Sequence, residues 1–141
     1  HYYLADRAAE KCEPGARALL LDDAGFVTET SSANIVIYDR KRGLITPPRQ
    51  QVLPGVSLAM VEELADQLGI PFGEQTLGSG DTAGAEEVLL TSTPYCLLPV
   101  TKFNGQPIGS SEPGEIFRRL IAAWSEAVGV NIVAQAAREI E

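Results

Sequence analysis

The sequence predicts an α/β domain with a mixed sheet. Two long amphipathic patterns, Ser57–Gly69 and Pro113–Gly129, mark helices. Around them stand about seven or eight short apolar runs of strand length, bounded by turn residues. One such run, Ile70–Leu77, follows the first long helix directly.

The elements can be justified in order. Residues 2–11 read as a short helix, stopped by the Glu13-Pro14-Gly15 turn. Ala16–Asp22 is an apolar strand-like run closed by Asp22-Asp23-Ala24-Gly25, a tight-turn signal. Phe26–Thr30 and Ala33–Asp39 follow, then a charged turn at Asp39–Gly43 and a further run, Gly43–Pro48. This predicts a meander of about four strands before the long helix. In that helix Leu58, Val61, Leu64, Ala65 and Leu68 form an apolar stripe, and Gly69 is a natural C-terminal stop. Ala85–Thr91 and Cys96–Phe103 read as strands, and Asn104-Gly105 is a strong hairpin signal. In the second long helix Ile116, Leu120, Trp124 and Ala127 share a face, and the tail to Glu141 is predicted helical.

Composition narrows the function. The 141 residues are 45% hydrophobic with 13 Gly and 9 Pro, which suits one globular domain over residues 1–141. Eleven basic against 19 acidic residues give a net charge of −8, which argues against recognition of a nucleic-acid backbone. No apolar run reaches the roughly 18 residues of a membrane helix. Cys12 and Cys96 fit no CxxC spacing and read as reduced thiols of a cytoplasmic protein. The single histidine, His1, leaves Ser-His-Asp or Cys-His catalysis without its base and gives metal ligation no support. The opening HYYLADRAAEK reads as helix interior from its first residue, as in a piece of something longer.

Three segments carry geometry beyond what folding needs. Leu53–Ser57 brings a glycine to the start of a helix, whose free N–H groups and positive dipole end suit an anion such as phosphate; a plain helix cap made by Ser57 is the alternative. Thr91–Pro94 places small hydroxyl residues at the carboxyl end of a strand, either for a ligand or as an ordinary turn. Glu29–Asn34 sets one carboxylate among small residues, with room for a flat group whose buried positive nitrogen Glu29 could pair; a β-bulge or wide hairpin with solvated Glu29 is the alternative.

The order of these segments resembles the fold-type IV, or class IV, pyridoxal-phosphate aminotransferases, a family that includes branched-chain aminotransferases, D-amino-acid aminotransferase and aminodeoxychorismate lyase. Leu21–Ile37, Leu44–Pro48, Val52–Ser57, Glu63–Ile70, Ala85–Pro94, Leu98–Val100 and Asn104–Gly109 carry the resemblance, over roughly residues 2–128. It implies the family's large C-terminal domain, a mixed sheet forming a pseudo-barrel flanked by helices, with pyridoxal 5′-phosphate as cofactor. Glu29 then matches the carboxylate facing the pyridine nitrogen, and Ser32 the small residue against the ring. Val56 and Ser57 match the phosphate-binding helix start, Thr93 the phosphate-binding hydroxyl, and Tyr3 the tyrosine on the phenolic oxygen.

The resemblance also implies a Schiff-base lysine just upstream of His1 and a smaller N-terminal domain, both outside this chain. Lys11, Lys41 and Lys102 are expected to be surface lysines, and the chain alone is expected to be inactive. In branched-chain enzymes the position after Thr93 supplies a backbone N–H to the substrate carboxylate; here it is Pro94, which has none. Thr30 replaces a frequent glycine, and Leu58 stands where an arginine often follows the helix start. The implied activity is transfer of an amino group between an amino acid and a 2-oxo acid by a homodimeric full-length enzyme. Pyruvate elimination of the aminodeoxychorismate-lyase kind, and a non-catalytic small-ligand or interaction domain on the same scaffold, remain open at this point.

Overall fold

The computed structural model describes residues 2–135. Helix α1 (Tyr2–Cys12) leads, followed by strands β1 (Asn34–Asp39) and β2 (Gly43–Thr46) and a short 3₁₀ turn at Arg49–Gln51. Then come α2 (Val56–Leu68), β3 (Phe72–Glu74), α3 (Ser79–Ala83), β4 (Glu87–Ser92), β5 (Cys96–Val100), β6 (Lys102–Phe103), β7 (Gln106–Pro107) and α4 (Glu115–Val128). The five-stranded sheet has the order β3-β2-β1-β4-β5, with β6-β7 a separate hairpin. β1 runs antiparallel to β2 and β4, β4 to β5, while β2 and β3 are parallel. The predicted mixed α/β sheet is thus present. Among the described residues it ends at β3 and β5 and does not close into a barrel.

The sheet is covered on both faces, which is why β1 reads as a continuous apolar run rather than an alternation. Val36, Leu44, Leu89 and Leu97 point to one side, against Leu58, Val61 and Leu64 of α2 and Ile116, Leu120 and Trp124 of α4. Ile35, Ile37, Ile45, Val88 and Leu90 point to the other, against Val27, Leu77 and Ile108. In α4 the inward face is Ile116, Leu120, Ile121 and Trp124, and Ala127 is exposed. Gly69 ends α2 in the left-handed conformation at φ +72°, the stop its position predicts. Asn104 and Gly105, at φ +50° and +77°, make the β6–β7 turn with two positive φ values, as the Asn-Gly signal requires.

The meander differs from expectation in its first half. Ala16–Asp22 and Phe26–Thr30 form a narrow hairpin, held by Leu20 N to Glu29 O at 2.8 Å and Thr28 N to Leu20 O at 2.9 Å, with one bridge at Leu21–Val27. Asp22 closes its turn by accepting from the N–H groups of Ala24 and Phe26, both at 2.9 Å. The hairpin packs over the sheet and pairs with it only at the Glu29–Asn34 bridge. The run Ile70–Leu77 shortens to the three residues of β3, which starts after Pro71, a residue with no N–H to donate. Residues 132–135 are helical, and the rest of the predicted tail helix, with His1, lies outside the described residues.

Candidate active site

Three segments meet beyond the end of β4. The first, Glu29–Asn34, is pinched by a bridge between its two ends. Thr30 closes the turn inside it: its N–H and its hydroxyl both bond the Ala33 carbonyl, at 3.0 and 3.3 Å. The second, Leu53–Gly55, leads into α2. The third is Thr91–Thr93, which runs off β4.

Side chains tie these segments together. Asn34 Nδ2 donates to the Leu53 carbonyl at 3.1 Å, and the Leu53 N–H donates to Glu29 Oε2 at 3.3 Å. The Ser92 hydroxyl donates to the Ser32 carbonyl at 2.9 Å. From outside, α1 holds the first segment through the Asp6 carboxylate, which accepts from the Ser31 hydroxyl and from Ala18 N at 3.1 Å. The Ser31 bond above all holds the Asp6 carboxyl below its ordinary value, with the Arg17 charge acting the same way.

The segments enclose a depression of about 210 Å³ lined by Glu29, Ser32, Val56, Ser57, Thr91 and Thr93 among others. Glu29 is 8% exposed, a buried carboxylate at the rim of small residues. The N-cap of α2 is Gly55, with no side-chain cap, so Ser57 is a residue of the first turn rather than a cap. First-turn N–H groups therefore keep donors for a ligand. Thr91 is 2% exposed, yet its Oγ1 has no hydrogen-bond partner among the described residues. A buried hydroxyl left this way is costly, and a group bound in the depression could pair with it. Among the described residues no lysine or arginine lines the depression, so any anion bound there would have to be held by neutral donors and the helix end.

Of the sequence-predicted site residues, Glu29, Ser32, Val56, Ser57 and Thr93 come together here. Pro94 is exposed in the β4–β5 turn just past Thr93. Tyr3 is 69% exposed, beneath the Arg7 guanidinium at 5.7 Å, in a separate depression with Asp6 and Arg17. Gly55 plays a different part from the one its sequence suggests: a Cβ there would collide with Asn34 Oδ1, so the missing side chain admits a protein group. Asn34, Thr91 and Ser92 lie in segments that the sequence marks without giving these residues individual roles, and Asp6 lies outside those segments. For Asn34 the signal was available, since an amide at the first residue of a buried strand must find partners.

The turn after Thr93 is strained. Cys96 has φ +61° and Leu97 N donates to Tyr95 O at 2.6 Å, which closes a three-residue turn around it. Burial raises the Cys96 thiol, and likewise the Tyr95 phenol against the pull of Arg17. Both cysteines are free thiols. Among the described residues there is no cluster of three or more His, Cys, Asp or Glu that could hold a metal ion. No helix among them is long and apolar enough to cross a membrane.

The same architecture occurs in known proteins. A branched-chain-amino-acid aminotransferase-like protein of Arabidopsis thaliana is 35% identical over 109 residues, 77% of this chain and 19% of its own length. A D-alanine aminotransferase of Bacillus licheniformis is 30% identical over 111 residues, 79% of this chain and 39% of its own. Among solved structures, the T.th. branched-chain amino acid aminotransferase, complexed with N-(5′-phosphopyridoxyl)-L-glutamate, superimposes with a TM-score of 0.82 at 26% identity. That match covers 91% of this chain and 42% of the solved one, so the chain spans less than half the length of these relatives. The profile of the amino-transferase class IV family matches residues 1–103, and by that match the chain belongs to the class IV amino-transferases.

Proposed function

We propose that this chain is the cofactor-binding part of a pyridoxal 5′-phosphate-dependent aminotransferase, which moves an amino group between an amino acid and a 2-oxo acid. The observation that carries the proposal is the convergence of a buried carboxylate, an uncapped helix start and an unpartnered buried hydroxyl on one depression. These groups fit the two ends of the cofactor. The bound cofactor would supply an electron sink for the substrate's α-carbon.

The residues divide the work. The N–H groups of Val56 and Ser57 and the Thr93 hydroxyl would hold the phosphate, with the positive end of α2 behind them. The Glu29 carboxylate would face the pyridine nitrogen and favour its protonated form, and its own bond from Leu53 N fixes where that carboxylate sits. Ser32 leaves room for the ring. Pro94 offers no N–H to a substrate carboxylate, so the branched-chain mode of substrate binding is not part of the proposal. Tyr3 is assigned by resemblance alone, because it stands outside the depression. Among the described residues no lysine lines the depression, and Lys102 is engaged with Glu13 at 2.8 Å. The chain by itself is therefore proposed to bind the cofactor without turning over amino acids, the lysine coming from the remainder of a full-length enzyme.

Titration of the purified chain with pyridoxal 5′-phosphate and with pyridoxal tests this, read by the absorbance and fluorescence of the ligand. The phosphorylated form should bind at least tenfold more tightly. Thr93→Ala should weaken it by about 1 kcal/mol, the net worth of one hydrogen bond. Equal binding of the two forms, or none, would refute the phosphate assignment. With the full-length enzyme, formation of a new amino acid from a 2-oxo acid, against release of pyruvate, decides between transfer and elimination.

A further inference from the structure

We infer that Asn34 is the positioning residue of this cradle: its side-chain amide sets the Leu53–Gly55 turn, and through it the place of the first turn of α2. The inference rests on the reading of the cradle as a phosphate site and extends it to a residue of its lining that acts through the turn rather than by holding the phosphate.

Asn34 is 6% exposed and opens β1, with Thr91 as its partner on β4 and Glu29 across the bridge. Strand alternation puts it on the same face as Val36, the face that carries α2. Its Nδ2 reaches across 19 positions in sequence to the Leu53 carbonyl. The orientation of the amide is fixed by chemistry, since a carbonyl can only accept. The Leu53 N–H is meanwhile taken by Glu29. Both polar backbone groups of Leu53 are thus held by the two ends of one bridge. The other edge of the amide, Oδ1, packs so close to Gly55 that no side chain fits there. Because α2 has no side-chain cap, this turn is what fixes where its first N–H groups point. Sites of this kind work when such donors are held to within a fraction of an ångström.

The test uses Asn34→Asp, which keeps the shape but presents an acceptor to the Leu53 carbonyl, and Asn34→Ala. Amide hydrogen exchange in the ligand-free chain should quicken about tenfold at Ala59 and Met60, the first bonded amides of α2, and stay unchanged at Leu120–Trp124 of α4. Affinity for pyridoxal 5′-phosphate should fall about tenfold. Gly55→Ala should fold poorly; Asn34→Ala with Gly55→Ala should fold well, as the added methyl enters vacated space, yet bind as weakly as Asn34→Ala. That separation of folding from affinity is what a merely structural role would not produce. Unchanged exchange at Ala59 and Met60, unchanged affinity in either variant, or outright unfolding of both, overturns the inference. If the unsubstituted chain binds no pyridoxal 5′-phosphate, the phosphate reading fails, and the exchange data alone decide whether Asn34 holds the turn.

Discussion

Replacing Glu87 tests how the floor of the site is anchored. Glu87 opens β4, the strand that ends in Thr91–Thr93, and its carboxylate caps α4. Oε2 accepts from Ile116 N and Oε1 from Phe117 N, both at 3.0 Å, while the N-cap itself, Gly114, offers no side chain. Bonds to a charged acceptor are worth about 1.5–3 kcal/mol each where buried, and loss of an N-cap costs about 0.5–2 kcal/mol. Glu87 is only half-buried and water can replace it, so Glu87→Ala should cost about 2 kcal/mol. At roughly 4 °C per kcal/mol for a domain of this size, Tm should drop by about 8 °C. A Cβ at Gly114 would collide with the Glu87 carboxyl and push it off the helix. Gly114→Ala should therefore cost about as much, and the double variant should be no worse than the poorer single one. Thermal and urea denaturation followed by circular dichroism measures all three. A Tm within about 1 °C of the parent for Glu87→Ala, or fully additive losses in the double variant, would refute the capping argument.

Gly43→Ala should destabilise by at least about 2 kcal/mol in a urea titration, since Gly43 sits at φ +85° and a Cβ would run into the Pro71 carbonyl. Leu89→Ala, at a fully buried position under α2 and α4, should cost about 3–4 kcal/mol by the same measurement. Asp6 titrates below the ordinary carboxyl value of about 3.9, so the folded state binds its proton less readily than the unfolded one. Its stabilisation is complete above that value and lost as pH falls through the lower folded one; Asp6→Asn should flatten the acid limb of a stability-versus-pH curve. Borohydride reduction of the chain with pyridoxal 5′-phosphate, read by mass spectrometry, should leave Lys11, Lys41 and Lys102 without a stoichiometric pyridoxyl adduct.

Much of the architecture was legible because burial on both faces and helical periodicity leave plain marks. Leu58, Val61 and Leu64 announce the inner face of α2, and Asn104-Gly105 announces its hairpin. Ala16–Thr30 misled because an apolar run says that a segment is covered, not that its backbone is paired in a ladder. The short helix α3, Ser79–Ala83, hid in a Gly-Ser-Gly-Asp sequence that reads as loop; Asp81 rescues it by accepting from Gly78 N at 2.8 Å. At the site, residue types pointed to Glu29, Ser57 and Thr93. The braces were invisible, because Asn34 to Leu53 and Ser92 to Ser32 join segments 19 and 60 positions apart. Distance in sequence erases that information, and only the fold restores it.

The sheet's two open ends have a consequence for the chain in concentrated solution. A bare strand edge is a template for another copy, and long flat apolar edges seed fibres. Neither end here offers such a template. β3 is three residues long, follows Pro71 and ends on Glu74. β5 begins at the tight turn around Cys96 and carries Pro99, which removes one donor from its backbone. Among the described residues each edge is too short or too interrupted to make a good template for strand addition, so the sheet is left open at both ends without presenting a long flat edge to another copy.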